Sequence, residues 1–66
     1  MYVQVNGKVT EVNPETTIAD FLVQKGLRPE AVVVEYNQEI APRERWKEII
    51  LTPADRLQVV SFVGGG

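Results

Sequence analysis

The chain of 66 residues carries nine carboxylates and seven Lys or Arg side chains, but neither His nor Cys. The commonest general base near neutral pH, the commonest metal ligand and the thiol nucleophile are all missing, so no catalytic residue, no metal site and no disulfide is expected. Two carboxylates working as acid and base need environments that drive their pKa values apart. Glu15, Asp20, Glu30, Glu35, Glu39, Glu44, Glu48 and Asp55 instead fall on expected caps, turns and solvent faces, and solvation explains them. What remains is the stretch Ser61-Phe62-Val63-Gly64-Gly65-Gly66. Three residues without Cβ atoms span up to about 10 Å, at ~3.3–3.6 Å each, as a thread narrow enough to enter an active-site tunnel. The α-carboxylate of Gly66, with a reference pKa of ~3.3–3.7, is ionised at neutral pH and is a poor electrophile, so acyl chemistry there requires activation by a partner. The bland alternative is a slack chain end.

A second stretch, Pro42-Arg43-Glu44-Arg45-Trp46-Lys47-Glu48, places Trp46 among three cations. Trp and Arg are enriched at interface hot spots, which makes Trp46 a candidate partner contact. A solvated short helix with Trp46 as a core or rim anchor is the favoured reading, with Glu44–Lys47 and Arg45–Glu48 pairs at i, i+3. Phe62 and Val63 are the other candidate partner contacts. They sit on opposite faces of a last strand whose core-facing side the alternation alone does not identify.

These residues must be positioned by one small domain, because a chain of this length buries only about 60% of its unfolded surface and cannot build two cores. Hydrophobic residues make up 44% and charged residues 24%, an ordinary globular balance. A net charge of −2 and a pI near 4.9 argue against nucleic acid, whose binders carry a basic patch. No apolar run approaches the ~20 residues that span a bilayer, and the start "MYVQVNGKVT" has the pattern of neither a signal nor a transit peptide. A cytoplasmic location is expected.

Asn6-Gly7 between "MYVQV" and "KVTEV" is a strong hairpin signal. Ile18, Phe21, Leu22 and Lys25 lie at i, i+3, i+4 and i+7, Thr17 and Asp20 form a variant capping box, and Gly26 suits a left-handed cap; together they predict a helix over 18–25. "AVVVEY" reads as a strand buried centrally in a sheet, "NQE" as the turn that follows, and "RERWKE" as a short helix begun by Pro42. "IIL" and "RLQVVSFV" read as two more strands joined by a turn at "TPAD". The order β-β-α-β-(short helix)-β-β predicts an α+β, β-grasp (ubiquitin-like) domain over 1–63. Its mixed sheet has about five strands with one main helix across one face, and a flexible glycine tail over 64–66 follows.

With that strand order, the end "FVGGG" and the internal "EYNQEIAPRERW", the chain resembles the ThiS family, the sulfur carrier proteins of thiamine biosynthesis. The resemblance covers the whole chain. Gly-Gly ends are common to ubiquitin-like modifiers, whereas Asn37, Glu39-Ile40, Pro42-Arg43 and Trp46 are more specific. It implies that an E1-like adenylyltransferase, using ATP and Mg²⁺, converts the Gly66 carboxylate to an acyl-adenylate. Sulfur from a cysteine desulfurase or another persulfide donor then yields a thiocarboxylate, which thiazole synthase consumes. Gly64 and Gly65 would be the thread entering both partner sites, with no cofactor bound to the chain itself. The rival readings are the small subunit of molybdopterin synthase, which uses the same terminal chemistry, a protein-conjugating ubiquitin-like modifier, and a plain binding module.

Overall fold

The computed structural model describes residues 1–62. The predicted glycine tail, Gly64 to Gly66, and the candidate contact Val63 lie outside the described residues. The described chain forms β1 (Tyr2–Val5), β2 (Lys8–Glu11), α1 (Ile18–Gln24), β3 (Val32–Tyr36), β4 (Glu39–Ile40) and β5 (Arg56–Ser61), with 3₁₀ turns at Pro29–Ala31 and Arg43–Arg45. The strands join in one mixed sheet of order β2-β1-β5-β3-β4, in which only β1 and β5 run parallel. Helix α1 buries its stripe against one face of the sheet, the β-grasp arrangement expected from the element order.

Local chemistry accounts for the first half. Asn6 and Gly7 adopt φ of 53° and 82°, the left-handed pair of a two-residue hairpin turn, and β1 and β2 pair antiparallel in the register Val5↔Lys8. At the start of α1, the Thr17 hydroxyl accepts from the Asp20 N–H at 3.0 Å and the Asp20 carboxylate accepts from the Thr17 N–H at 3.2 Å, a complete capping box. Gly26 closes the helix at φ 70°. Ile18, Phe21 and Leu22 are buried, and with Val3, Val32, Val34, Leu51 and Leu57 they form the centre of the core. Lys25, on the same stripe, stays exposed with its Nζ 5.7 Å from the Phe21 ring centroid. Each fully buried aliphatic or aromatic side chain here contributes roughly 1.5–3 kcal/mol.

The second half departs from expectation in four places. The run Val32-Val33-Val34 is not buried on both faces: Val32 and Val34 enter the core while Val33 is 39% exposed. The most interior strand is β5, gripped by β1 and β3. "NQE" is not one turn, because Asn37 and Gln38, at φ 50° and 75°, reverse the chain alone and Glu39 already pairs with Tyr36 in β4. "RERWKE" forms only the 3₁₀ turn Arg43–Arg45, since Pro42 stays extended and the chain bends to bring Trp46 into the core. Of the two expected ion pairs on it, Arg45–Glu48 is present at 3.6 Å, while among the described residues Glu44 and Lys47 form none.

"IIL" is no strand of the sheet. The Ile18 N–H donates to the Ile49 carbonyl at 3.1 Å and the Leu51 N–H to the Thr16 carbonyl at 2.8 Å, around a single bridge between Thr17 and Ile50. The approach to α1 takes up the Ile49 carbonyl and the Leu51 N–H, and Leu51 is buried in the core beneath the helix.

Candidate functional site

The candidate site is the C-terminal end of β5, because that strand carries the chain toward Gly66. Its beginning is locked by Asp55. This carboxylate accepts from the Tyr36 hydroxyl at 2.8 Å, the Thr52 N–H at 2.8 Å and the Asn37 side-chain amide at 3.2 Å. Asn37 returns a contact by accepting from the Arg56 N–H at 2.9 Å. One carboxylate thereby ties the β3–β4 turn, the turn before β5 and the first residue of β5 together.

Asp55 is only 7% exposed, so it is not among the solvated carboxylates as its turn position suggested. Burial pushes its pKa up, but the hydrogen bonds from Thr52, Tyr36 and Asn37 outweigh that and hold it below the ordinary carboxylate value. Burial and the bond to Asp55 push the Tyr36 hydroxyl the other way, up.

The remainder of β5 is held from both sides. On the β3 side the ladder runs from Tyr36↔Leu57 to Val32↔Ser61, and the Phe62 N–H extends it to the Ala31 carbonyl at 3.0 Å. On the β1 side Gln4 and Val5 pair with Arg56 and Leu57, and the Asn6 side chain then replaces backbone: its Oδ1 accepts from the Val59 N–H at 2.8 Å and its Nδ2 donates to the Val59 carbonyl at 3.2 Å. The strand delivering residues beyond Phe62 is thus anchored almost to its last residue.

The register settles which face each β5 side chain takes. Leu57 and Val59 point to the helix side, whereas Arg56, Gln58 and Val60 point to the face that α1 leaves open, with Val33 directly across from Val60. Val60 is 59% exposed, and with Phe62 at 45% and Val33 it surrounds the exit of the strand with apolar surface. Tyr2, Val9 and Ile40 are exposed too, and pairing places them on the same open face beside Gln4, Arg56 and Glu35. Monomeric proteins seldom leave contiguous apolar surface uncovered without a use for it.

Phe62 therefore lies at the site, and Val60 and Val33 join it. Val33 was not legible, since a β-branched run gives no sign of which neighbour faces out. Trp46 does not join. It is 4% exposed, and its indole N–H donates to the Ala41 carbonyl at 2.8 Å while its own carbonyl accepts from the Ala19 N–H at 3.1 Å, so it is a core anchor under α1 and not a partner contact. Among the described residues no three carboxylates converge as metal ligands would.

The model of the ThiS family matches residues 3–66 of the chain. The sulfur carrier protein ThiS of Bacillus subtilis is 42% identical over 64 residues, covering 96% of this chain and 97% of that one. A thiazole synthase of Magnetococcus marinus is 33% identical over all 66 residues, which span 20% of its own length. Among solved structures, the crystal structure of the thiamine biosynthesis protein ThiS from Geobacter metallireducens superposes with a TM-score of 0.80 at 30% identity, covering the whole of both chains.

Proposed function

The chain belongs to the ThiS family, the sulfur carriers of thiamine biosynthesis, and from that premise we propose that its sulfur travels on the carboxyl carbon of Gly66 as a thiocarboxylate. The observation that carries this reading is the near full-length match to a sulfur carrier in a chain without Cys. A carrier of this composition has no thiol on which to hold a persulfide, so a carboxyl group must hold the sulfur.

The steps follow from the weakness of a carboxylate as an electrophile. In an E1-like adenylyltransferase that uses ATP and Mg²⁺, a Gly66 carboxylate oxygen attacks the α-phosphorus of ATP and releases pyrophosphate. Sulfur then attacks the acyl carbon and displaces AMP. It arrives as hydrosulfide, or as a desulfurase-derived persulfide whose S–S bond a thiol subsequently reduces. The thiocarboxylate gives its sulfur to thiazole synthase and the carboxylate returns. In this cycle the chain is a cytoplasmic cosubstrate acted on by its partners and binds no cofactor of its own. The reading of thiazole synthase as acceptor is supported by proteins of that name in which a stretch similar to this whole chain occupies one fifth of the length.

Each part of the chain has a distinct task in this cycle. Gly64 and Gly65 form the thread, since any Cβ would widen it where it enters the partner. Phe62, with Val60 and Val33, forms the apolar surface that docks while Gly66 reacts. The β5 ladder and the Asp55 lock hold the strand in place, so that docking the sheet also aims the tail.

The deciding experiment is an intact mass of the chain before and after incubation with ATP, Mg²⁺, the adenylyltransferase and sulfide. Exchange of one oxygen for sulfur, located at Gly66 by fragmentation, is expected. An unchanged mass beside a demonstrably active adenylyltransferase would overturn the reading. Gly65→Val is expected to keep the fold and lose adenylation, and normal thiocarboxylate formation by that variant would remove the threading role.

A further inference from the structure

On the helix side of the sheet, between the end of the β1–β2 hairpin and the C-terminal end of α1, lies a groove of about 320 Å³. Its floor is formed by Val5, Phe21, Leu27 and Val59, and the exposed Lys8 and Lys25 stand at its rim. Ser61 lines its upper end, next to the exit of β5. This surface is distinct from the open face that carries Val33 and Val60.

The backbone of β5 is unfinished along this groove. The alternation that sends the Phe62 N–H to Ala31 turns the N–H and carbonyl of Ser61 the opposite way, toward the hairpin. Strand β1 stops pairing at Val5↔Leu57, and the Asn6 side chain serves Val59 but reaches no further. Among the described residues none pairs with Ser61 from that side. A donor and an acceptor therefore face a notch with an apolar floor, which is the geometry that accepts an added strand.

The charge of the groove selects the strand. The chain as a whole is acidic, with a net charge of −2, yet both ionisable side chains lining this groove are lysines and no carboxylate lines it. We propose that the groove takes an extended acidic segment of a partner protein, which pairs its backbone with Ser61, sets an apolar side chain on the Phe21–Leu27 floor and brings carboxylates two residues to either side of it, on the same face, to Lys8 and Lys25. Polynucleotide phosphates would meet the same lysines but would leave the apolar floor and the strand edge unused. The site stands independently of the chemistry at Gly66.

The test is a titration of the full, ¹⁵N-labelled chain with the blocked peptide Glu-Ser-Val-Ser-Glu, whose Glu and Val side chains share one face when extended, beside controls with Ser or Lys in place of both Glu residues. The acidic peptide is expected to shift the amides of Lys8, Lys25 and Ser61 saturably, and more weakly as salt is raised. Lys8→Gln combined with Lys25→Gln, both exposed, should weaken it roughly fivefold, the loss of two solvent-exposed pairs. Ser61→Pro deletes an N–H that the β3 ladder does not use and should weaken both the acidic and the neutral peptide. Absence of shifts, equal shifts with all three peptides, shifts confined to Val33 and Val60, or unchanged affinity of the double lysine variant would each overturn the proposal. Should Ser61→Pro not fold, the lysine variants still decide it.

Discussion

Replacing Asp55 by Ala removes the acceptor on which three donors converge and should be the most damaging single polar substitution in the described chain. Hydrogen bonds to an ionised group contribute about 1.5–3 kcal/mol each. The three here are not additive, because Tyr36 and Asn37 are partly exposed and water replaces some of what they lose. We therefore expect a loss of about 2–4 kcal/mol at neutral pH. A domain of 66 residues has roughly 3–10 kcal/mol in total, so this is a large share. Urea unfolding followed by fluorescence of the single, buried Trp46 measures it directly. Tyr36→Phe in the same background closes a double-mutant cycle, for which a coupling of about 1 kcal/mol or more is expected.

The sign of the pH dependence follows from the direction of the shift. The folded-state pKa of Asp55 is depressed, so the unfolded chain takes up the proton first as pH falls. The contribution is present in full well above the unfolded value of about 3.9 and is lost as pH falls through the lower folded value. The difference in stability between the native chain and Asp55→Ala should therefore shrink on acidification. A loss below about 0.5 kcal/mol at neutral pH, or a difference that grows in acid, would refute this account of the lock.

Three further outcomes are expected. Thr17→Ala breaks the capping box and should cost about 1 kcal/mol by the same urea assay, with the sheet intact by amide exchange. Gln38→Gly relieves a left-handed position at φ 75° and should raise stability by roughly 0.5 kcal/mol, once the greater freedom of glycine in the unfolded chain is subtracted. Val60→Lys, on the open face, should change stability by no more than about 0.5 kcal/mol while weakening the proposed complex with an adenylyltransferase at least tenfold by calorimetry; unchanged affinity would move docking away from that face.

What the sequence by itself determined is local. The Asn6-Gly7 turn, the Thr17 and Asp20 capping box, the stripe of Ile18, Phe21 and Leu22 and the cap at Gly26 each depend on residues a few positions apart, where sterics and hydrogen bonding act before any tertiary contact forms. Composition worked as directly, since a chain without His or Cys cannot assemble chemistry that needs them. The element order was legible as far as it followed from such local signals, and it was enough to reach the β-grasp.

The tertiary structure decided whatever depends on a distant partner. Ile49, Ile50 and Leu51 have the composition of a strand, but the Ile49 carbonyl and the Leu51 N–H bond to Ile18 and Thr16 and not to a strand of the sheet. Glu39 and Ile40 have no strand signal, yet a tight turn lays them against β3. Asp55 has the position of an exposed turn residue, and donors at Tyr36 and Asn37 bury it as an acceptor. Trp46 reads as a core or rim anchor, and only its burial under α1 decides for the core over the rim and over the partner contact that its cationic neighbours also suggest. Above all, an alternating strand carries two faces of equal plausibility. Only pairing with β1 and β3 turns Leu57 and Val59 toward the helix and leaves Val60 beside Val33 on the open face, because register across a sheet is set by contacts between segments and not by either segment alone.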